Sequence, residues 1–163
     1  MKVGGTSGDS SAGPRSAGVE AHLAEAIEAA RKSRSEGGIP IGAALVLDDR
    51  VIATGYNQRV QLGSAIRHGE MDAFENAGRL TASAYTRMTM VTTLAPCDMC
   101  TGAILLYRIP HVVVGEDRAF KGSLDLLRER GVTVTVLSDP ACIAMMSEFI
   151  AAEPDLWNED IGI

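Results

Sequence analysis

The chain has 163 residues, of which 46% are hydrophobic, and a formal net charge of −6 at pH 7. This length predicts one domain with a buried core, and the sequence has neither an apolar run long enough to span a membrane nor a secretory signal pattern. The acidic balance argues against a nucleic-acid partner, because proteins that bind nucleic acids usually present basic faces that neutralise phosphates.

The first part of the chain predicts a tail, a helix and a hairpin. Residues 1–17 are rich in Gly, Ser and Ala without hydrophobic periodicity, so we expect a disordered tail and assign the folded domain to residues 18–163. Apolar residues at helical spacing predict a helix over 19–34. Strand-like segments at 41–47 and 51–55 flank a short polar turn, which predicts an antiparallel hairpin.

The remainder of the chain alternates helices with strands. In chain order we predict a helix at 68–80, a strand at 88–93, a helix at 97–107, a strand at 111–115, a helix at about 123–130, a strand at 132–137 and a helix at 139–152. Strands that alternate with helices indicate a sheet covered on both faces, with its late strands parallel. The expected fold class is therefore α/β, as a three-layer α/β/α sandwich with a five-stranded mixed sheet.

The most informative motif has two halves, and each half opens a predicted helix. His68-Gly69-Glu70 forms the first half, and Pro96-Cys97-Asp98-Met99-Cys100 forms the second. One imidazole and two thiolates are typical ligands of Zn²⁺, and a catalytic zinc site has three protein ligands and keeps one position for water. Cys97 and Cys100 share a face of a helix start, where amide groups and the helix dipole favour thiolates. We therefore predict one catalytic Zn²⁺ per chain, bound by His68, Cys97 and Cys100.

Glu70 is the predicted acid/base of this site. Two thiolates cancel the charge of the ion, so bound water is acidified less and a separate base is useful. Glu70 lies two residues from a ligand, and its side chain has the reach to exchange a proton with that water. A structural zinc would need a fourth ligand, but Cys142, His22 and His111 lack suitable spacing, and a redox Cys-x-x-Cys would leave His-Gly-Glu unexplained.

The His-x-Glu and Pro-Cys-x-x-Cys pattern marks zinc-dependent base deaminases, and the sequence resembles the cytidine deaminase superfamily. Within it, the similarity is greatest to the fungal cytosine deaminases. Further segments that carry this similarity are Gly38-Ile39-Pro40-Ile41-Gly42, Gly55-Tyr56-Asn57, Phe120-Lys121 and Trp157-Asn158-Glu159-Asp160-Ile161-Gly162. The resemblance implies hydrolytic deamination of a free base, cytosine to uracil plus ammonia. Isocytosine, 5-methylcytosine, a guanine-type base and tRNA adenosine remain alternative substrates.

The resemblance also assigns polar contacts to the substrate. It implies that Asn57 and the Gly69 amide hold the carbonyl and ring N–H edge of the base, and that Asp160 accepts from its exocyclic amine. The Ala95 carbonyl is expected to face the leaving amine. A pocket that pairs each polar edge of its ligand rejects bases that leave these groups unpaired.

The resemblance assigns apolar contacts as well. Ile41, Phe120 and Trp157 are expected to close the pocket over the ring, although ordinary core packing would equally explain the two aromatic residues. Because Trp157 and Asp160 lie near the C-terminus, where tails are normally polar, we expect this segment to dock over the pocket mouth. Its opening would then limit product release.

The expected partners are a small nucleobase and a second copy of the chain, with no membrane and no nucleic acid. The apolar segment Ile104-Leu105-Leu106 and the resemblance both favour a homodimer. We interpret Arg59, Arg67, Arg79 and Arg87 as solvated surface charges. With two cysteines on the metal, only Cys142 remains, so no disulfide framework is available and we expect a cytoplasmic protein. Tyr56 and Arg67 depart from the fungal pattern and leave the substrate choice open.

A rival hypothesis is a scaffold protein that keeps zinc only for stability. In such a protein Glu70 would have no purpose, because a structural metal needs no acid/base beside it. A second rival is a tRNA adenosine deaminase with the same metal motif, which would need an open mouth and basic surroundings for an extruded nucleotide.

Overall fold

The computed structural model describes residues 15–163, as eight helices and five strands. The helices are α1 (Arg15–Ser35), α2 (Arg59–Leu62), α3 (Gly69–Ala77), α4 (Ala82–Tyr85), α5 (Asp98–Leu106), α6 (Leu124–Glu129), α7 (Pro140–Ala152) and α8 (Pro154–Asp160). The strands are β1 (Gly42–Leu47), β2 (Arg50–Tyr56), β3 (Met88–Leu94), β4 (His111–Glu116) and β5 (Thr133–Val136). The predicted tail lies outside the described residues except for 15–17, which belong to α1. Within the described part of the chain, no helix is long and apolar enough to cross a membrane.

The five strands form one mixed sheet in the order β2-β1-β3-β4-β5. Strand β1 is antiparallel to both β2 and β3, whereas β3, β4 and β5 are parallel to one another. The β1–β2 turn has positive φ at Asp48 (49°) and Asp49 (61°), the backbone of a two-residue turn whose twist matches that of the strands. These findings confirm the predicted hairpin and the predicted five-stranded sheet with parallel late strands.

Helices cover both faces of the sheet. On one face, Leu45, Met90 and Val112 pack in a cluster with residues of α3, α5 and α6. On the other face, alternate residues such as Ala44 and Val91 pack against α1 and α7. The strands thus bury both faces, which confirms the three-layer α/β/α sandwich. The thiol of Cys142 is packed in the second cluster.

Two glycines allow helices to approach the sheet closely. A β-carbon on Gly55 would lie 2.1 Å from the backbone nitrogen of Ala73 in α3, and one on Gly42 would lie 2.1 Å from the carbonyl oxygen of Ala26 in α1. Neither position has room for a side chain. The contact at Gly55 sets the depth of α3 against the sheet, and α3 begins directly after His68.

Several predicted boundaries differ from the structure. The helix predicted at 68–80 ends at Ala77, because Gly78 has φ 71° and turns the chain away from the helix. The helix predicted at 97–107 spans Asp98–Leu106, with Cys97 as its N-cap and Tyr107 as its C-cap. The short helices α2, α4 and α8 were not predicted, because so few residues do not show a clear hydrophobic period.

Candidate active site

Both halves of the metal motif lie at helix N-termini that converge on one point. His68 is the N-cap of α3, and Cys97 is the N-cap of α5. The Nδ1 atom of His68 lies 3.5 Å from the Sγ of Cys97 and 3.8 Å from the Sγ of Cys100. Tetrahedral Zn²⁺ with ordinary bond lengths to nitrogen and sulfur separates such ligand atoms by about 3.6 Å. The two distances from His68 therefore suit a shared zinc ion.

The group of candidate metal ligands has three members. Among residues 15–163, His68, Cys97 and Cys100 bring their ligand atoms within 4.8 Å of one another, and no further His, Cys or carboxylate joins that group. This composition matches a catalytic zinc site rather than a four-ligand structural one. Hydrogen bonding from Cys100 and His68 lowers the pKa of the Cys97 thiol to about 4, so a thiolate is available to bind the metal.

Glu70 lies beside this ligand group and is 3% exposed. Its Oε2 accepts a hydrogen bond from the Cys100 thiol at 3.4 Å, and its Oε1 accepts one from the Thr92 hydroxyl at 3.0 Å. Burial raises the pKa of Glu70, and the nearby Cys97 thiolate raises it further. A carboxyl whose pKa is moved towards neutrality can both accept and donate a proton near physiological pH. Thr92 was not predicted, because a threonine in a strand has no sequence signature for this role.

A cavity opens beside the metal ligands and Glu70. It has a volume of about 280 Å³, including the part open to solvent, and its lining residues are Ile41, His68, Glu70, Leu94, Ala95, Cys97, Phe120, Trp157, Asp160 and Ile161. The rings of Phe120 and Trp157 meet edge to face, with centroids 6.1 Å apart and planes at 85°. The structure thus places most of the residues expected to contact substrate in the lining of one cavity. The lining also includes Leu94 and Ile161, which were not predicted.

Two residues expected to contact substrate lie behind the cavity lining. Asn57 is fully buried, and its side-chain Nδ2 donates to both carboxylate oxygens of Asp160, at 3.1 and 3.3 Å. Gly69 is also buried, and a β-carbon there would lie 3.1 Å from the carbonyl oxygen of Ile41. Both residues are therefore adjacent to lining residues, Asn57 through Asp160 and Gly69 through Ile41.

Asp72 fixes the loop that carries Asn57, and the sequence did not predict it. Its carboxylate is fully buried and accepts from the Tyr56 backbone N–H at 3.0 Å, from Gln58 Nε2 at 2.9 Å and from Arg67 Nε at 2.8 Å. Tyr56 and Gln58 flank Asn57 in the chain, and Arg67 immediately precedes His68. Of the two positions that depart from the fungal pattern, Arg67 binds this carboxylate through its side chain, whereas Tyr56 binds it through its backbone N–H.

Arg59 is not the solvated surface charge that the sequence predicted. Its side chain is 14% exposed and forms ion pairs with Glu159 and Asp160 of α8. Arg67 likewise pairs with Asp72, and its side chain is 33% exposed. The prediction was wrong for Arg59 because its partners lie in α8, about 100 residues along the chain. It was wrong for Arg67 because Asp72, five residues away, is buried in the folded chain and holds the guanidinium there.

Comparison with known proteins identifies the family of this site. The family model described as the cytidine and deoxycytidylate deaminase zinc-binding region matches residues 17–116. The chain belongs to this deaminase family. The deaminase is 54% identical to the cytosine deaminase of Candida albicans over 141 residues, which cover 86% of this chain and 94% of that protein. It is 39% identical to a tRNA-specific adenosine deaminase of Streptococcus pyogenes over 64% of this chain and 62% of that protein.

Solved structures support the same assignment for the fold. The deaminase superposes on the guanine deaminase of Nitrosomonas europaea with a TM-score of 0.69 and 27% sequence identity, covering 81% of this chain and 84% of that one. The family match and the geometry of His68, Cys97 and Cys100 together confirm the predicted zinc cofactor and the predicted deaminase class.

Proposed function

We propose that this protein catalyses the hydrolytic deamination of cytosine to uracil and ammonia, and that residues 18–163 form the domain responsible. The observation that carries the proposal is the small cavity in which Glu70 lies beside the zinc ligands and under α8. Trp157 and Asp160 of α8 line this cavity together with two of the zinc ligands, an enclosure that suits a free base better than a nucleoside or a tRNA loop. The 54% identity to a cytosine deaminase supports the same substrate.

The catalytic role is assigned to Glu70. When bound by His68, Cys97 and Cys100, Zn²⁺ supplies Lewis-acid chemistry and lowers the pKa of a water molecule. Glu70 accepts one proton of that water as the water oxygen bonds to the reacting carbon, and it passes this proton to the adjacent ring nitrogen. It then takes the second proton from the new hydroxyl and gives it to the amino group, so that the carbon–nitrogen bond breaks, ammonia leaves and the carbonyl of uracil remains. The hydrogen bond from Thr92 holds the Glu70 carboxyl in place for both transfers.

Substrate recognition is assigned to the polar groups around the cavity. Asp160 accepts a hydrogen bond from the exocyclic amine, and the Ala95 carbonyl faces the same amine as it departs. Asn57 and the Gly69 amide bind the carbonyl and ring N–H edge. Both lie directly behind the present lining, so substrate would have to reach past Asp160 and Ile41 to meet them.

Apolar recognition of the base is assigned to Ile41, Phe120 and Trp157. All three line the cavity, and the edge-to-face pair of aromatic rings gives the pocket a rigid apolar side. A planar ring buried against such side chains gains hydrophobic and aromatic contact, while the polar groups set its orientation.

A substrate panel tests the proposal. Ammonia release would be measured for the zinc-loaded protein with cytosine, isocytosine, 5-methylcytosine, guanine, cytidine and a tRNA anticodon stem. We expect cytosine to have the highest kcat/KM, about 100-fold above cytidine, because a ribose attached to the base would have to displace the Phe120 and Trp157 side chains that line the cavity. A preference for guanine or for the tRNA stem would refute the substrate. Absence of all turnover with one zinc per chain would instead favour the scaffold hypothesis.

We further propose that the protein is a homodimer. Of the segment expected to form the contact, Ile104 is buried within its own chain, but Leu106 is 73% exposed and its neighbour Tyr107 is 39% exposed. Tyr107 also stacks on Tyr85, with ring centroids 4.4 Å apart, so the partly exposed ring of Tyr107 is held in place by a neighbouring ring. Such a surface is typical of protein contacts. Sedimentation showing a stable monomer at micromolar concentration would remove this proposal.

We also propose a cytoplasmic location and a role in pyrimidine salvage. All three cysteines are free thiols, which fits a reducing compartment. Deamination of free cytosine would supply uracil for reuse. Fractionation that recovers the protein outside the cytoplasm would contradict the location.

A further inference from the structure

Arg59 connects the loop before the metal motif to the C-terminal helix α8. Its Nη1 and Nη2 atoms donate to the two carboxylate oxygens of Glu159, at 2.8 and 2.6 Å. Its Nη1 also donates to Asp160 Oδ1 at 3.1 Å. One guanidinium thus binds two consecutive carboxylates of α8, in the two-pronged geometry that only arginine offers.

The Arg59 side chain is itself held from the opposite direction. Its Nε donates to the Ala65 carbonyl oxygen at 3.1 Å, and its backbone N–H donates to Asn57 Oδ1 at 3.1 Å. The guanidinium therefore has a fixed position relative to the loop that precedes His68. Because its side chain has little remaining freedom, the guanidinium also fixes the carboxylates of Glu159 and Asp160 that it binds.

The inner of the two carboxylates is the one that faces the cavity. The Asp160 side chain is 2% exposed, whereas that of Glu159 is 59% exposed. A buried carboxylate needs compensating donors, and Asp160 receives them from Arg59 and Asn57. These two donors hold the carboxylate of Asp160, and the Nε2 of His68 lies 3.6 Å from its Oδ1.

Helix α8 depends on contacts with the rest of the protein. It has seven residues, and an isolated helix of this length is not stable in water. Its N-cap position, Glu153, provides no side-chain cap, so tertiary contacts must hold the helix. The buried Trp157 supplies apolar contact, and the Arg59 ion pairs supply the polar contact nearest to the cavity.

We propose that Arg59 is a positioning residue for substrate binding: it binds Asp160 and Glu159, and thereby holds the Asp160 carboxylate towards the amino group of the base and Trp157 over its ring. The proposal rests on the proposed function in one respect, since it takes Asp160 as the residue that contacts the base. Arg59 itself does not line the cavity, so it acts through Asp160.

The test compares Arg59→Gln with a matched control, Arg87→Gln. Arg87 also binds a carboxylate, Asp48, at 3.2 Å, but both side chains are more than half exposed and lie away from the cavity. We expect Arg59→Gln to raise KM for cytosine about tenfold or more while kcat changes less than about threefold and zinc content stays at one per chain. Arg59→Lys keeps the charge but not the two-pronged geometry, so its KM should lie between those of wild type and Arg59→Gln.

A second measurement requires no substrate. The chain has one tryptophan, Trp157, so intrinsic fluorescence reports the docking of α8 directly. Acrylamide should quench Trp157 more strongly in Arg59→Gln than in Arg87→Gln or wild type. If wild type fails to deaminate cytosine, the proposed function fails, and the quenching comparison still decides whether Arg59 holds α8.

Three results would overturn the proposal. The first is a KM for Arg59→Gln within about twofold of the Arg87→Gln control, whatever the quenching shows. The second is loss of zinc, which would mean that Arg59 supports the metal site, where Asp160 lies 3.6 Å from His68 Nε2, and not the binding of the base. The third is an equal fall in kcat and kcat/KM, because an effect on binding through Asp160 predicts a change in KM. If Arg59→Gln folds poorly, the same measurements of KM, zinc content and quenching on Arg59→Lys decide whether the proposal stands.

Discussion

Replacing Glu70 by Gln tests the acid/base directly. The amide has nearly the same size as the carboxyl, and it can still accept the hydrogen bond that Thr92 donates at 3.0 Å. The substitution therefore removes proton transfer while leaving the packing around this buried position unchanged. General acid/base groups contribute about 100-fold to 10,000-fold to rate, so we expect kcat to fall by that factor, equivalent to about 2.7–5.4 kcal/mol in the activation barrier.

The stability of the Glu70→Gln variant should not fall with its activity. Burial raises the pKa of Glu70, which means that the folded state disfavours the ionised carboxylate relative to the unfolded state. For an acid with a raised pKa, the cost to stability grows as pH rises above the unfolded-state pKa and is fully present above the folded-state pKa. The neutral amide carries no such cost, so the zinc-free variant should be at least as stable as the zinc-free wild type at pH 8.

The assay combines cytosine absorbance, ammonia release and zinc analysis. A matched control is Glu75→Gln, the same substitution at an exposed position of helix α3, which should retain wild-type activity. More than about a tenth of the wild-type kcat in Glu70→Gln, with zinc retained, would refute the acid/base assignment, because such groups contribute at least about 100-fold.

Three further predictions concern the metal and the scaffold. Removing zinc with a chelator should lower Tm in differential scanning fluorimetry, and zinc but not magnesium should restore it, because the ligands are one imidazole and two thiols; recovery with magnesium would contradict the site. Asp72→Asn should lower the free energy of unfolding in urea by about 1–3 kcal/mol, since it weakens acceptance of four donors at a buried position. The exposed Asp125→Asn should change it by less than about 0.5 kcal/mol, and equal effects would contradict the role of Asp72. Gly55→Ala should lower the free energy of unfolding by at least about 1–3 kcal/mol, because its β-carbon would lie 2.1 Å from the backbone of α3. Gly102→Ala should be tolerated, because the added β-carbon would meet no atom of another element within 4 Å.

The chemistry of the metal site could be predicted from the sequence because it depends on residue types at short spacing. His68, Glu70, Cys97 and Cys100 fall within two local motifs, and each motif opens a helix whose period is visible in the chain. The parallel late strands could also be predicted from the sequence, because helices that alternate with strands can cover a sheet in only a few ways.

The orientation of the proposed substrate-binding groups was decided by the tertiary structure alone. Arg59 and Asp160 are distant along the chain, as are Tyr56 and its partner Asp72, and no periodicity or motif connects either pair. Even the amide of Asn57, which the sequence predicted as a substrate contact, is bound to Asp160, a contact that no spacing indicates. Local sequence determines which elements form and which ligands they carry. Contacts between distant segments depend on how α2, α3 and α8 pack, because a buried carboxylate takes whichever donors the fold places around it.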